Sequence, residues 1–278
     1  MLKKILLVFS LGILLAAALS NAGCASSGGF MSMLAKVPAD TASFKYVDVR
    51  ALRQDADLAG LYDAWKVGVS SAFEILDISY SDVNVFVTGS SVDTRFTLLV
   101  GKFDLDKVRS ELHDRGYDEG GYKGVEVWER EVALGSVMEG RVALMGKNFM
   151  ITGNEDGVKG CISVMKSGNA SWLSEADVND LANRLAGGLY VNIEEQELAA
   201  LLIKGLEVYG LSAKKLDGDT LGIAGIAKFD SENHADDADN AIENLMTNQQ
   251  FKKVDINQKG DLLEASAEMD IDDAEALF

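Results

Sequence analysis

The chain has 278 residues, of which 47% are hydrophobic and 25% are charged. These fractions are typical of a globular protein with a sizeable core, and they exclude wholesale disorder and a disulfide-rich scaffold. With 26 basic and 44 acidic residues the formal net charge is -18. This charge argues against nucleic acid as a partner, because binding it requires a basic face that displaces counterions.

The N-terminal region is typical of an export signal. Two lysines precede an apolar run over 5–19, which is shorter than the roughly 20 residues needed to span a bilayer. The sequence Ala22-Gly23-Cys24 that follows resembles the cleavage box of bacterial lipoproteins, in which the cysteine becomes the first mature residue and carries the lipid. We therefore expect a lipoprotein signal peptide over 1–23 and a lipid on Cys24. Ordinary cleavage by the general signal peptidase and an uncleaved N-terminal anchor are the alternatives.

A lipid on Cys24 implies an extracytoplasmic protein anchored to the bacterial cell membrane or outer membrane. The membrane is then one partner, and a protein of the cell envelope is the candidate for another. The small residues after the cysteine predict a flexible tether over 24–36. The second cysteine, Cys161, has no disulfide partner. It lies within the helically spaced apolar pattern of Val158, Ile162 and Met165, which favours a buried core position over a reactive thiol.

The first folded unit is expected over 37–186. Its strands are predicted from aromatic and β-branched residues, and its helices from apolar residues spaced three and four apart. Asp104 is typical of a helix cap, and the glycine of Gly146-Lys147-Asn148 is typical of a hairpin turn. The predicted strands cover 44–49, 83–88, 95–103, 125–132 and 141–152, and the predicted helices cover 58–69, 104–116, 156–166 and 174–185.

A second, shorter unit over 187–278 repeats the order of the first. Leu-Tyr-Val-Asn-Ile at 189–193 resembles Tyr-Val-Asp-Val at 46–49, and Lys-Phe-Asp occurs at both 102–104 and 228–230. Because the matching motifs occur in the same order, we predict that the two units arose by duplication.

Two patterns in the second unit complete the prediction of the fold class. Apolar residues at helical spacing predict a helix carrying Leu198, Leu202, Leu206 and Tyr209. The last strand alternates apolar and polar residues over 263–269, which predicts one solvent-facing side. We therefore expect an α+β fold of two related β-α-β-β-α-β units, with mainly antiparallel sheets and helices packed on one face.

The middle of the chain resembles a known family. Gly-Val-Glu-Val at 124–127 is followed by Val-Ala-Leu at 142–144, Phe-Met-Ile-Thr-Gly at 149–153, a helix, Ser-Trp-Leu-Ser at 171–174 and Leu-Tyr-Val-Asn at 189–192. These motifs resemble those of a family of bacterial extracytoplasmic proteins built on a domain of unknown function. The resemblance implies the same location and carries over no catalytic residue.

Motifs for catalysis or metal binding are scarce. Ser163-Val-Met-Lys166 matches the nucleophile motif of penicillin-recognising enzymes, but their Ser-Asp-Asn and Lys-Thr-Gly motifs are absent. His113 and His234 have no second histidine or cysteine nearby, which favours solvated positions over metal ligands. The acidic run over 230–239 lacks the glycine of an EF-hand and is typical of a helix start, with calcium binding by another geometry left open. We therefore assign no catalytic, cofactor-binding or metal-binding residue.

The sequence predicts location better than activity. Trp65, Trp128 and Trp172 are expected to fill the core rather than to form a ligand-stacking surface. The favoured function is a non-enzymatic binding or interaction protein of the cell envelope. The alternatives are a carrier of a lipid or other apolar ligand, and a hydrolytic enzyme without a recognisable motif.

Overall fold

A computed structural model describes residues 27–130, 140–195, 203–247 and 251–277. The expected signal peptide and Cys24 lie outside these ranges. Within them the α-helices are α1 (Ser27–Leu34), α2 (Val49–Gln54), α3 (Ala59–Leu76), α4 (Leu105–Asp114), α5 (Glu155–Ser167), α6 (Ala176–Leu185) and α7 (Glu232–Thr247).

The strands of the described residues form one 12-stranded sheet in which every pairing is antiparallel. Its order is β11-β12-β10-β9-β8-β1-β2-β3-β7-β6-β5-β4. The predicted α+β class with antiparallel pairing is confirmed. The strands are β1 (Ser43–Val47), β2 (Val83–Ser90), β3 (Arg95–Gly101), β4 (Asp118–Tyr122), β5 (Val125–Glu129), β6 (Arg141–Leu144), β7 (Phe149–Gly153), β8 (Tyr190–Glu195), β9 (Leu206–Lys215), β10 (Thr220–Phe229), β11 (Lys252–Lys259) and β12 (Leu262–Asp270).

Local sequence signals explain several of these boundaries. Helix α4 begins after Asp104, whose carboxylate accepts a hydrogen bond from the Lys107 backbone N–H at 3.2 Å. The β6–β7 hairpin turns through Gly146, which has the positive φ of +72° that glycine adopts without strain. Both the predicted cap and the predicted hairpin are therefore confirmed.

Helices bury both faces of the sheet. Successive strand residues point to opposite sides, so Val47 belongs to one of the two larger hydrophobic cores and Tyr46 to the other. A third, smaller core includes Phe229 of β10 and Ala235 of α7. The first core includes residues of α2, α3 and α4, such as Trp65, and the second includes residues of α1, α5 and α6, such as Ile162. Helices were expected on one face only. The structure has them on both, because the central strands are apolar on both sides.

Part of the expected tether is a packed helix. Over 27–34 the chain forms α1, in which Phe30 is only 2% exposed. Its ring meets those of Phe44 and Tyr46 edge-on, at centroid distances of 5.9 and 5.6 Å. The prediction of a flexible tether is therefore wrong from residue 27 onward, because apolar residues within a Ser/Gly-rich segment pack against strand β1.

Leu206 and Tyr209 lie in strand β9 and not in the predicted helix. Strand β9 is hydrogen-bonded on one side to β8 and on the other to β10. This pairing of the backbone outweighs a helical spacing that is local and short. Leu198 and Leu202, the other residues of the predicted helix, lie outside the described residues.

The strand order on the two sides of the central β1–β8 pair is similar. Outward from β1 the order is β2, β3, β7 and β6, and outward from β8 it is β9, β10, β12 and β11. The first side carries an additional hairpin, β4–β5, at its edge. Because the two sides belong to one sheet, 37–186 and 187–278 are structurally continuous, and their origin by duplication stays a prediction.

Candidate functional site

The end of helix α6 leaves part of the sheet face open. Leu185, its last residue, packs on strand β9 at Gly210, where an added Cβ would lie 2.3 Å from the leucine side chain. The chain then turns through Gly187, with a φ of +94°, and enters β8. The sheet surface beyond Leu185 forms the floor of a cleft with a volume of about 400 Å³, which lies in the range of small-molecule sites. We call it the α6 cleft.

Small residues from three neighbouring strands form the floor of the α6 cleft. Ser212 of β9 is paired with Ala224 of β10, which is paired with Ser266 of β12. The next row of paired residues on this face, two residues along each strand, consists of Lys214 of β9, Gly222 of β10 and Glu268 of β12. A Cβ at Gly222 would lie 3.1 Å from the Leu216 side chain, so the absence of a side chain lets this leucine pack directly on the sheet.

Two ion-pair groups form the walls of the α6 cleft. Arg184 donates from Nε to Asp180 at 2.9 Å and from its terminal nitrogen to Glu264. Glu264 is only 5% exposed and also accepts a hydrogen bond from Lys259 at 2.6 Å. Such a nearly buried carboxylate is stabilised only when it is paired. The side of β12 that was expected to face solvent is therefore covered at this residue.

The second wall lies on the edge strand. Lys253 of β11 donates to Glu268 of β12 at 2.7 Å, so these two charges largely offset each other. Glu268 ends the row that begins at Lys214 and passes through Gly222. The row thus has a charged side chain at each end, and Gly222 between them is covered by the Leu216 side chain.

Lys214 differs from the other cations of the cleft. Among the described residues it has neither an ion pair nor a hydrogen bond through its side chain. The adjacent Lys215 points to the opposite face and binds Asp55 at 2.7 Å and Asp57 at 2.5 Å. The hydrogen bond to Asp55 and the second one to Asp57 raise the pKa of Lys215. Lys214 is therefore the ammonium group of this region that a ligand can bind.

A second concave site lies at the other end of α6. Its lining includes the carboxylates of Glu175, Asp177, Glu195 and Glu207, and we call it the acidic groove. Burial raises the pKa of Glu195, and the charges of Glu175 and Asp177 act in the same direction. Within the described ranges, no group of three or more His, Cys, Asp or Glu side chains is arranged to hold a metal ion.

The fold is similar to that of solved structures, whereas comparison of the sequence with known proteins gave no match. No protein-family model matches the chain, and no curated protein does. Crystal form I of TP0453 has a TM-score of 0.55 at 10% identity, over 88% of this chain and 95% of that chain. Crystal form IV of TP0453 has a TM-score of 0.54 at 10% identity, over 90% of this chain and 98% of that chain. At this identity the similarity shows a shared fold alone.

The structure places most of the residues singled out from the sequence away from the α6 cleft. Cys161 of α5 is fully buried in a hydrophobic core, as its sequence pattern predicts. Burial raises the pKa of its thiol. His113 is exposed, and His234 lies 2.5 Å from Asp230.

Trp65, Trp128 and Trp172 are buried, which confirms their expected place in the core. Cys24 lies outside the described residues. None of the helices in the described ranges combines the length and hydropathy that crossing a membrane requires.

Sequence reasoning missed the residues of the α6 cleft. Arg184, Lys214 and Lys253 are spread over 70 positions of the chain and belong to no motif. The available signal was the run of small residues in β10, Gly-Ile-Ala-Gly-Ile-Ala at 222–227, together with Ser266 in an alternating strand. Small residues within a strand often mark a place where a ligand or another segment of backbone lies close to the sheet.

Proposed function

We propose that this protein is a lipid-anchored, extracytoplasmic protein of the bacterial cell envelope that binds a small ligand in the α6 cleft. The observation that carries the proposal is the cleft itself. Ser212, Ala224 and Ser266 leave a floor without large side chains, and charged side chains surround it. A concave site of mixed polarity at the end of a helix is where small ligands commonly bind.

The chemistry of the lining supports binding without catalysis. The two serines of the floor have no histidine beside them, since the lining contains none. Glu268, the carboxylate of the lining, is held by Lys253 and so is poorly placed to act as a general base. An activated nucleophile is a hydroxyl or thiol hydrogen-bonded to a base, and neither serine hydroxyl of the floor makes such a hydrogen bond among the described residues.

The anchor is supported by the N-terminal sequence. We expect the wild-type protein, expressed in a bacterium, to partition into the detergent phase of a Triton X-114 extraction. A Cys24→Ala variant is expected in the aqueous phase, because it cannot receive the acyl chains. A control variant, Cys161→Ala, should partition as the wild type does. Retention of the Cys24→Ala variant in the detergent phase would show that the anchor has another origin.

Ligand binding is tested by filling the α6 cleft. The mature chain with Cys24→Ala is produced without the signal peptide, so that neither lipid nor detergent competes for probes. Two fluorescent probes of similar shape are titrated: anilinonaphthalenesulfonate, an anion, and N-phenyl-1-naphthylamine, which is uncharged. We expect Ala224→Phe to weaken saturable binding, because its ring fills the floor. Val92→Phe adds the same ring at a position that is 69% exposed and serves as the control.

A result in which Ala224→Phe and Val92→Phe bind both probes like the parent chain would exclude the α6 cleft as the binding site. Circular dichroism verifies that each variant is folded. Ser266→Leu is a second variant that fills the same floor from the neighbouring strand. It is used in place of Ala224→Phe if that variant fails to fold.

A further inference from the structure

The lining of the α6 cleft has an excess of basic side chains, whereas the whole chain has an excess of acidic ones. The chain carries a net charge of -18, so a surface site chosen at random would have an acidic excess. The lining of the cleft instead has three basic side chains, Arg184, Lys214 and Lys253, and one acidic side chain, Glu268. A local positive excess in an acidic protein favours an anion at that site.

The pairing within the cleft shows which cation is available. Arg184 is held by Asp180 and Glu264, and Lys253 is held by Glu268. Their charges are offset within the protein. Lys214 has no such partner among the described residues, so it is the cation left for a ligand. Beside it on β10 lies Gly222, on which the Leu216 side chain packs.

Polar and apolar groups of the floor lie within reach of the Lys214 ammonium. Ser212 is two residues away on the same strand and faces the same side, at a Cα separation of about 7 Å. Its hydroxyl can donate to an acid group that also contacts the lysine. Ala224, Ala186 and Leu216 line the cleft with methyl and methylene groups. A ligand that fits carries an acid group at one end and a compact apolar body.

We propose that the α6 cleft binds small amphiphilic anions, with Lys214 holding the carboxylate, sulfonate or phosphate group and the small-residue floor holding the apolar body. This inference rests on the proposed binding function and names its ligand class. Lys214 is a specificity residue, because it selects the charged ligand over an uncharged one of the same shape.

The two probes of the cleft-filling experiment test this selectivity. The parent chain is expected to bind the anionic probe more tightly than the uncharged one. Lys214→Met keeps most of the apolar stem and removes the charge. We expect it to weaken binding of the anionic probe about tenfold, the size of one hydrogen bond to a charged group, and to leave the uncharged probe unchanged. Lys214→Arg should retain the preference.

Lys166→Met is the matched control, because Lys166 is exposed on α5 and outside the cleft. It should bind both probes like the parent chain. Added salt should weaken the anionic probe and spare the uncharged one. The ligand class is overturned if the parent chain binds both probes equally. It is also overturned if Lys214→Met lowers both affinities together.

The outcomes separate the two levels of the proposal. If Ala224→Phe weakens binding while Lys214→Met does not change the preference, the cleft binds ligands and the assigned class is wrong. If Ala224→Phe and Ser266→Leu fold and bind both probes like the parent chain, the cleft is not the site, and the proposed function fails with it.

Discussion

The carboxyl group of Glu195 couples stability to pH. It lies in the acidic groove and accepts a hydrogen bond from Trp172 Nε1 at 2.8 Å. Burial, together with the charges of Glu175 and Asp177, raises the pKa of Glu195 above its ordinary value. The folded protein therefore holds this proton more tightly than the unfolded chain does. Stability contributed by the protonated form is lost as the pH rises through the raised pKa.

We predict that Glu195→Gln is more stable than the wild type at pH 7. Glutamine keeps an acceptor for Trp172 and removes the unfavourable charge. The gain is about 0.5 kcal/mol, because the side chain is partly exposed. It should shrink as the pH falls through the raised pKa and be absent below the ordinary glutamate pKa, where the carboxyl is protonated in both states. Urea unfolding at several pH values measures it. Glu119→Gln on edge strand β4 controls for net charge, and an equal gain in that variant would contradict the prediction.

Helix α1 stabilises the fold through one aromatic side chain. Phe30 is buried against Phe44 and Tyr46, so its removal leaves a cavity between helix and strand. We predict that Phe30→Ala lowers the free energy of unfolding by about 3 kcal/mol. Chemical denaturation of the mature chain is the measurement. Ala35→Ser, at an exposed position just after the same helix, should change stability little.

A loss well below 1 kcal/mol for Phe30→Ala would contradict the packing of α1 on the sheet. The helix would then be only loosely attached, as the Ser/Gly-rich composition of the segment suggests.

The elements that could be predicted from sequence are those with local causes. The β6–β7 hairpin follows from Gly146 between two apolar strands, and α4 follows from the cap at Asp104. Helix α1 could not be predicted, because Phe30 gains its partners from strand β1. The spacing of Leu206 and Tyr209 predicts a helix at the start of strand β9, because the pairing of β9 with β8 and β10 is not visible in a local spacing.

The α6 cleft depends on contacts that sequence patterns do not contain. Lys214 and Ser266 share one face of the sheet because of the register between β9, β10 and β12. Glu264 was expected to face solvent because it alternates with apolar residues, yet Arg184 and Lys259 cover it. Register and long-range ion pairs are set by the whole fold, so the cleft could be found only in the structure.

At the scale of the whole molecule, the sheet and its cores join the two halves of the chain. One hydrophobic core contains Trp65 and Leu61 from the first half and Ile223 and Met269 from the second. Strand β1 of the first half pairs with β8 of the second. A third, smaller core lies wholly within the second half, but the two larger cores are each built from both halves. We therefore expect the chain to unfold in a single cooperative transition.

Two spectroscopic probes measure this cooperativity. All three tryptophans lie before residue 187, so their fluorescence reports on the first half, whereas far-UV circular dichroism reports on the whole chain. The two urea unfolding curves should coincide. Ile226→Ala, a buried change in the second half, should shift both midpoints equally to lower urea by a loss of about 3 kcal/mol. Fluorescence that is unaffected by this variant would show that the halves unfold independently.

The position of α1 has a consequence for how close the body lies to the lipid bilayer. The helix begins at Ser27, three residues after Cys24, and a chain of that length spans at most about 11 Å. A lipid on Cys24 would therefore hold the packed body at the bilayer surface, without the standoff of a long stalk. Because α1 and α6 bury the same face of the sheet, the face anchored in this way would also be the one that carries the α6 cleft. Ligands would then be captured at the membrane-proximal side, where amphiphilic molecules concentrate.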